Sequence, residues 1–173
     1  MRRALRPLAA LRRTLLLLAS AAWLATAATA VAQADGIAFD VEILRVDLVV
    51  NDEGETVERF EPVQEAPPGE EIEYRVTVRN DGSRIYRPGT LPIRLPIGEG
   101  VQYVEGSAGP QGGDLVVEAS VDGGATFTEL PVEAAEGDAP AFDPAAVDTL
   151  RWTPSVPFEP GMEFVLVYRV QVL

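Results

Sequence analysis

The sequence predicts an all-β protein, an antiparallel β-sandwich forming a single domain over residues 35–173, behind an export signal over residues 1–34. Three observations predict it. Apolar residues recur at every second position in short runs, Gly, Pro, Asn and Asp cluster between the runs, and nothing after Asp35 carries the 3.6-residue apolar spacing of an amphipathic helix.

The leader comes first. Residues 1–14 are basic and include Pro7, residues 15–24 are an apolar run, and residues 25–34 are rich in small side chains. That order is the n-region, h-region and cleavage region of a signal peptide. Ala32-Gln33-Ala34 supplies the small-x-small pattern of a peptidase site and places the cut before Asp35. Ala28-Thr29-Ala30 and Ala30-Val31-Ala32 are weaker alternatives. An uncleaved anchor is the rival reading, because residues 15–32 approach the length of a membrane span. Their Ala and Thr content and the cleavage pattern favour removal. Arg12-Arg13 ahead of Thr14-Leu15-Leu16 is similar to a twin-arginine signal, although Leu11 stands where that motif has a Ser-like residue. No second long apolar stretch follows, so the processed chain is expected to be soluble, in the periplasm or outside the cell.

The strands follow in order. Ile37, Phe39, Val41 and Ile43 alternate with polar neighbours; at Ile43-Leu44 the phase slips, and Leu44, Val46, Leu48 and Val50 continue on even numbers. A one-residue slip turns every side chain over, so the sequence predicts a bulge there or a move between sheets. Asn51-Asp52-Glu53-Gly54 is a turn. Residues 71–79 alternate most cleanly, with Ile72, Tyr74, Val76 and Val78 inward and Glu71, Glu73, Arg75, Thr77 and Arg79 outward. Pro67-Pro68-Gly69 precedes this run and Asn80-Asp81-Gly82 ends it; Gly69 and Gly82 are expected at positive φ. Leu91, Ile93 and Leu95 face inward around Pro92 and Pro96, and proline without an N–H assigns this strand to a sheet edge.

Residues 101–104 and 115–121 are further short strands, and Asp122-Gly123-Gly124 reverses the chain into residues 125–130. An acidic Pro- and Ala-rich stretch, 133–147, reads as a surface loop before Leu150-Arg151-Trp152. Trp152 is expected at the centre of the core, with its indole N–H needing one partner. The last strand, 164–172, is apolar on both faces through its middle, which favours a buried central position over an exposed edge. A membrane β-barrel would need longer, uninterrupted strands, so the sandwich is the better reading.

Composition narrows the function. The chain of 173 residues has no His, Cys or Lys. A Ser-His-Asp triad, a thiol nucleophile, a Schiff-base lysine, a P-loop and a His or Cys zinc site are therefore excluded. The leader holds five of the 14 basic residues and none of the 27 acidic ones, so the remaining 139 residues carry nine Arg against 27 carboxylates, a net −18. That charge repels nucleic acid and anionic lipid. Arg84, Arg87 and Arg94 are best read as solvent-facing positions.

Four segments in order carry a family resemblance. Pro68-Gly69-Glu70-Glu71 leads into Tyr74, Val76 and Val78 and ends at Asn80-Asp81-Gly82-Ser83. Leu95-Pro96 precedes Gly100-Val101, Tyr103-Val104 and Gly106-Ser107; Leu150-Arg151-Trp152-Thr153 precedes Pro160-Gly161 and the final strand. Together they resemble one copy of the domain of unknown function eleven, an Ig-like repeat of bacterial and archaeal envelope and surface proteins, over residues 64–173. The resemblance implies an Ig-like topology and a role at the cell envelope.

Two local features invite chemistry. Ser120-x-Asp122-x-Gly124-x-Thr126-Phe127 is similar to the Asp-box hairpin of sialidases, and the favoured reading is a structural staple whose Asp, Ser and Thr bond turn amides above the aromatic ring. Asp52, Glu53, Glu55 and Asp114, with Glu99 or Asp81 on other loops, are candidate Ca²⁺ ligands, although the EF-hand order is absent and a solvated acidic surface is the plainer reading. The sequence therefore points to an exported, non-enzymatic envelope module without cofactor, acting through a protein partner in assembly, adhesion or scaffolding. The alternative is a module binding a glycan, a small ligand or Ca²⁺; a carboxylate-only hydrolase is the remotest.

Overall fold

The structure, a computed structural model, describes residues 36–110, 113–130 and 143–173. Residues 1–35, which hold the expected export signal and its cleavage residues Ala32 and Ala34, and residues 133–142 of the acidic stretch lie outside them. Strands β1 (Ile37–Val50), β2 (Thr56–Pro62), β3 (Glu71–Asn80), β5 (Val101–Tyr103) and β9 (Glu163–Val172) form a five-stranded sheet ordered β2-β1-β3-β9-β5. Strands β4 (Ile93–Pro96), β6 (Leu115–Ser120), β7 (Thr128–Glu129) and β8 (Thr149–Pro154) form a four-stranded sheet ordered β4-β8-β6-β7. Every ladder is antiparallel. The one helical turn among the described residues is a 3-10 turn at Pro144–Ala146, started by the Asp143 carboxylate accepting the Ala145 N–H at 2.9 Å.

The two sheets close on a common core. Ile72, Val76, Val78, Leu166 and Val170 come from the larger sheet, and Ile93, Leu115, Val117, Leu150 and Trp152 from the smaller. Alternation in β3 delivers three of these directly, because every second side chain of a strand points the same way. Trp152, 0 % exposed, crosses from one sheet to the other: its Nε1–H donates to the Gly109 carbonyl at 3.0 Å. Gly109 in turn exchanges both main-chain hydrogen bonds with Val167 of β9, at 2.8 and 3.0 Å. The indole thus finds its partner on a segment bonded to the opposite sheet. Tyr168 lies between, tilted against Trp152 and stacked on Tyr74 at a centroid separation of 5.0 Å. Burial pushes the Tyr168 hydroxyl far above its ordinary pKa, so it stays protonated.

Asn80 is a polar member of that interior. Its Nδ2 donates to the Arg84 and Phe158 carbonyls at 2.8 and 3.0 Å, and its Oδ1 accepts the Gly82 N–H at 3.2 Å. A buried amide with these bonds satisfied fixes the β3 turn against the segment before β9. Gly69 takes φ 91°, as expected, but Gly82 is not at positive φ. Its missing side chain serves another purpose: a Cβ on Gly36 would stand 2.4 Å from the Gly82 Cα, so the two backbones pack directly. The proline-bearing β4 lies at a sheet edge, as proline chemistry requires, and β9 sits between β3 and β5 rather than at an edge.

β1 corrects the sequence reading. No bulge or change of sheet occurs at Ile43-Leu44; one strand keeps unbroken register to β3 over residues 37–45 and to β2 over 44–50. What changes is the face that is apolar. Up to Ile43 the odd positions face the interior, opposite Val78, Val76 and Tyr74. Beyond Arg45 the strand runs past the start of β3 and continues with β2 alone as a two-stranded ribbon. There the odd positions begin with ion pairs, Arg45, Asp47, Arg59 and Glu61 at 2.9–3.5 Å, and end with the Val49–Val57 pair. The even positions, Leu44, Val46, Leu48 and Val50, put their apolar side chains on the outer face.

Candidate functional site

The outer face of the β1–β2 ribbon is the most distinctive surface of the described residues. Directly opposed residues of an antiparallel ladder share a face. Leu44, Val46, Leu48 and Val50 therefore stand beside Pro62, Phe60, Glu58 and Thr56 on the side away from the core. Near the sheet this strip is covered. Leu44 is buried, Val46 and Phe60 are half-buried, and the Phe60 ring lies beneath the guanidinium groups of Arg75 and Arg169, 4.4 and 5.7 Å from its centroid. Farther out nothing covers it: Leu48 is 72 % and Val50 70 % exposed.

An ion-pair network locks the covered end. Glu73 points outward by the alternation of β3, yet it is only 3 % exposed. Its carboxylate accepts Arg75 Nε–H at 2.6 Å and Arg169 Nε–H at 2.8 Å. Arg169 also grips Glu58 with both terminal nitrogens, at 2.6 and 2.7 Å, and reaches Glu71 at 3.1 Å. The fork of the guanidinium matches this set of carboxylates, which a lysine would not. The Glu58 hydrogen bond is the largest of the causes that push the Arg169 pKa up, and Arg169 in turn holds the Glu58 carboxyl below its usual value. Ser107 steadies the backbone beneath, accepting the Arg169 N–H at 2.9 Å.

The ribbon ends in the acidic turn singled out from the sequence. Asn51 Oδ1 accepts the N–H groups of Glu53 and Glu55 at 3.0 and 2.8 Å, which closes the turn and leaves Asp52, Glu53 and Glu55 exposed. Asp114 is not with them: it precedes β6 in the other sheet, where its carbonyl accepts the Ser155 N–H. Asp81 is held by Arg79 through two hydrogen bonds at 2.6 and 3.0 Å, and Glu99 lies exposed in the turn between β4 and β5. Among the described residues no three carboxylates are grouped so as to hold a metal ion. Nor does any helix among them have the length and apolar content to cross a membrane.

The Asp122 hairpin has the staple geometry. Asp122 Oδ1 accepts the Ala125 and Thr126 N–H groups at 3.0 and 2.8 Å, and Oδ2 accepts the Thr126 hydroxyl at 2.6 Å. Ser120 Oγ donates to Asp122 and accepts the Gly124 N–H. Thr126 above all, with the Ser120 hydroxyl and the turn amides, lowers the Asp122 pKa to about 2. Phe127 then lies 3.8 Å from the Arg151 guanidinium, which is forked onto Glu118. The Asp122 carboxylate and the Ser120 and Thr126 hydroxyls are all committed to the turn, and Asp148 accepts the Gly123 N–H from outside it at 2.6 Å.

Sequence reasoning missed Phe60, Glu73 and Arg169 as a unit. The available signal was the even-numbered run 44–50, whose apolar side belongs to the outside, and one aromatic residue in the otherwise charged stretch 58–61. No family model, no curated protein and no solved structure matches the chain.

Proposed function

We propose that this chain is an exported, non-catalytic module of the cell envelope that works through protein contact at the outer face of the β1–β2 ribbon. One observation carries the reading: Leu48 and Val50 stand uncovered on a strip whose inner end is rigidly built. Large aliphatic side chains on a protruding ribbon gain roughly 1.5–3 kcal/mol each when a partner removes them from water. The charge around them selects that partner. Glu58 flanks Leu48, and the turn at the tip carries Asp52, Glu53 and Glu55, so an apolar centre with a basic rim is the complementary surface. The leader, the Ig-like envelope resemblance and the absence of His, Cys and Lys support the same reading.

Carbodiimide crosslinking in intact cells, which couples the carboxylates of this lysine-free chain to the lysines of a basic-rimmed partner, tests it. The wild-type protein is expected to give a discrete crosslinked species that the L48E/V50E double variant loses while keeping its melting temperature. A species retained by the double variant would overturn the reading, as would turnover of a substrate by the purified protein.

A further inference from the structure

A second surface carries an inference that does not depend on the strip. On its β2 side, β1 is paired only over residues 44–50, while on its β3 side it is paired over residues 37–45. Residues 37–42 therefore present one edge that no described strand covers. The phase of that edge is fixed by Val63, whose N–H donates to the Ile43 carbonyl at 3.1 Å. Main-chain groups of an antiparallel strand face alternate sides residue by residue. Phe39 and Val41 thus turn their N–H and C=O groups to the open edge, while Ala38, Asp40 and Glu42 spend theirs on β3; Ile37 has the same phase but is buried.

The side chains say what would fit. Val41 faces the interior opposite Val76, but Val41 is 51 % exposed where Val76 is 2 %. No described strand adjoins β1 there. On the outer face Asp40 and Glu42 form no salt bridge among the described residues; Arg75, opposite Glu42, is committed to Glu73 at 2.6 Å. The edge holds no proline over residues 37–42, and its only charges, Asp40 and Glu42, are of one sign, so they guard against an acidic strand and not against a basic one.

We propose that this half-edge of β1 accepts an extended segment of another protein whose side chains alternate apolar and basic. Apolar residues of the incoming strand cover Phe39 and Val41, and its Lys or Arg residues meet Asp40 and Glu42. A second copy of this chain is the wrong occupant. Antiparallel self-pairing centred on residue 40, 41 or 42 sets Asp40 against Glu42, or one of them against itself, and like charges directly opposed destabilise a ladder. The register centred on Phe39 would need Ile37 opposite Val41, and Ile37 is already covered at 2 % exposure.

The test uses the purified protein and three short peptides at about 150 mM salt, where diffuse attraction to an acidic protein is screened within about 8 Å. One peptide alternates lysine and valine, one alternates glutamate and valine, and one is the lysine–valine peptide N-methylated at alternate amides on its pairing edge. Calorimetry is expected to find binding of the first peptide alone, with the other two weakened by at least about tenfold. Amide exchange should slow at Phe39 and Val41 on binding. Val41→Pro removes an edge-facing N–H without touching the β3 ladder and should abolish binding. Should that variant fail to fold, the D40K/E42K double variant is expected to transfer preference to the glutamate–valine peptide.

Equal binding of the N-methylated peptide would overturn the proposal by showing attraction without strand pairing. So would failure of every peptide to bind, or a concentration-dependent dimer protecting the same amides. None of these outcomes touches the L48E/V50E result, so the two readings fail separately.

Discussion

Removing the Glu73 carboxylate should cost far more than removing any other acid on the outer face of the larger sheet. Glu73 is 3 % exposed and accepts Nε–H bonds from two arginines at 2.6 and 2.8 Å. In Glu73→Ala the Arg169 guanidinium, 21 % exposed, keeps Glu58 and Glu71 but loses its innermost partner, and Arg75 loses its ion pair. Breaking a buried pair from one side costs ~3–5 kcal/mol, because the remaining charge stays desolvated. The exposed rim of the network moderates this, and ~3 kcal/mol is the expected loss. Urea unfolding at neutral pH, followed by tryptophan emission, measures it, with an unchanged m-value showing that the denatured state is not altered. The E73L/R169M double variant should recover most of the loss, since apolar side chains of similar volume replace a buried pair at little cost. A Glu73→Ala change within about 0.5 kcal/mol of wild type would refute the reasoning and class the network with solvent-screened surface pairs.

Further outcomes follow from other sites. Asp122→Ala should lower the melting temperature at pH 7. The folded carboxyl titrates at about 2, below its usual value near 3.9, so its contribution is present above about pH 4 and lost toward pH 2. The wild-type and Asp122→Ala melting temperatures should therefore converge as the pH falls through that window in a pH-dependent melt. Gly36→Ala should destabilise much more than Gly54→Ala by urea melt: both glycines have positive φ, but only at Gly36 does the new Cβ meet backbone, 2.4 Å away. Trp152→Phe should cost about 2 kcal/mol in unfolding free energy, combining lost packing with the lost bond to Gly109.

The core strands were the legible part of this sequence, for a physical reason. β3 has one face on the core and alternates accordingly, the apolar middle of β9 on both faces marked an interior strand, and proline placed β4 at an edge because it lacks a donor. The Asp122 hairpin was readable because its bonds are local, spanning two to four residues. Non-local placement was not readable. β2 escaped the alternation test because it is a mostly exposed edge strand on which only Phe60 and Val57 are large and apolar. Glu73 looked like one more solvent-facing acid in an outward row, since nothing in residues 71–79 reveals that Arg169 will arrive directly opposite it on β9, ninety-six residues away in sequence. The phase slip in β1 was a true signal given the wrong cause. Alternation usually marks the side from which water is excluded, but past Arg45 the apolar side is the outer one, and at Leu48 and Val50 it stands in water.

Incorporating a photo-crosslinking amino acid at position 48, with position 87 as a surface control, tests the interaction strip most directly. Illumination in cells should yield one discrete adduct from position 48 and none from Arg87, which is exposed on the loop between β3 and β4. Adducts of equal yield from both positions, or none from position 48, would contradict a protein-binding role for the ribbon's outer face.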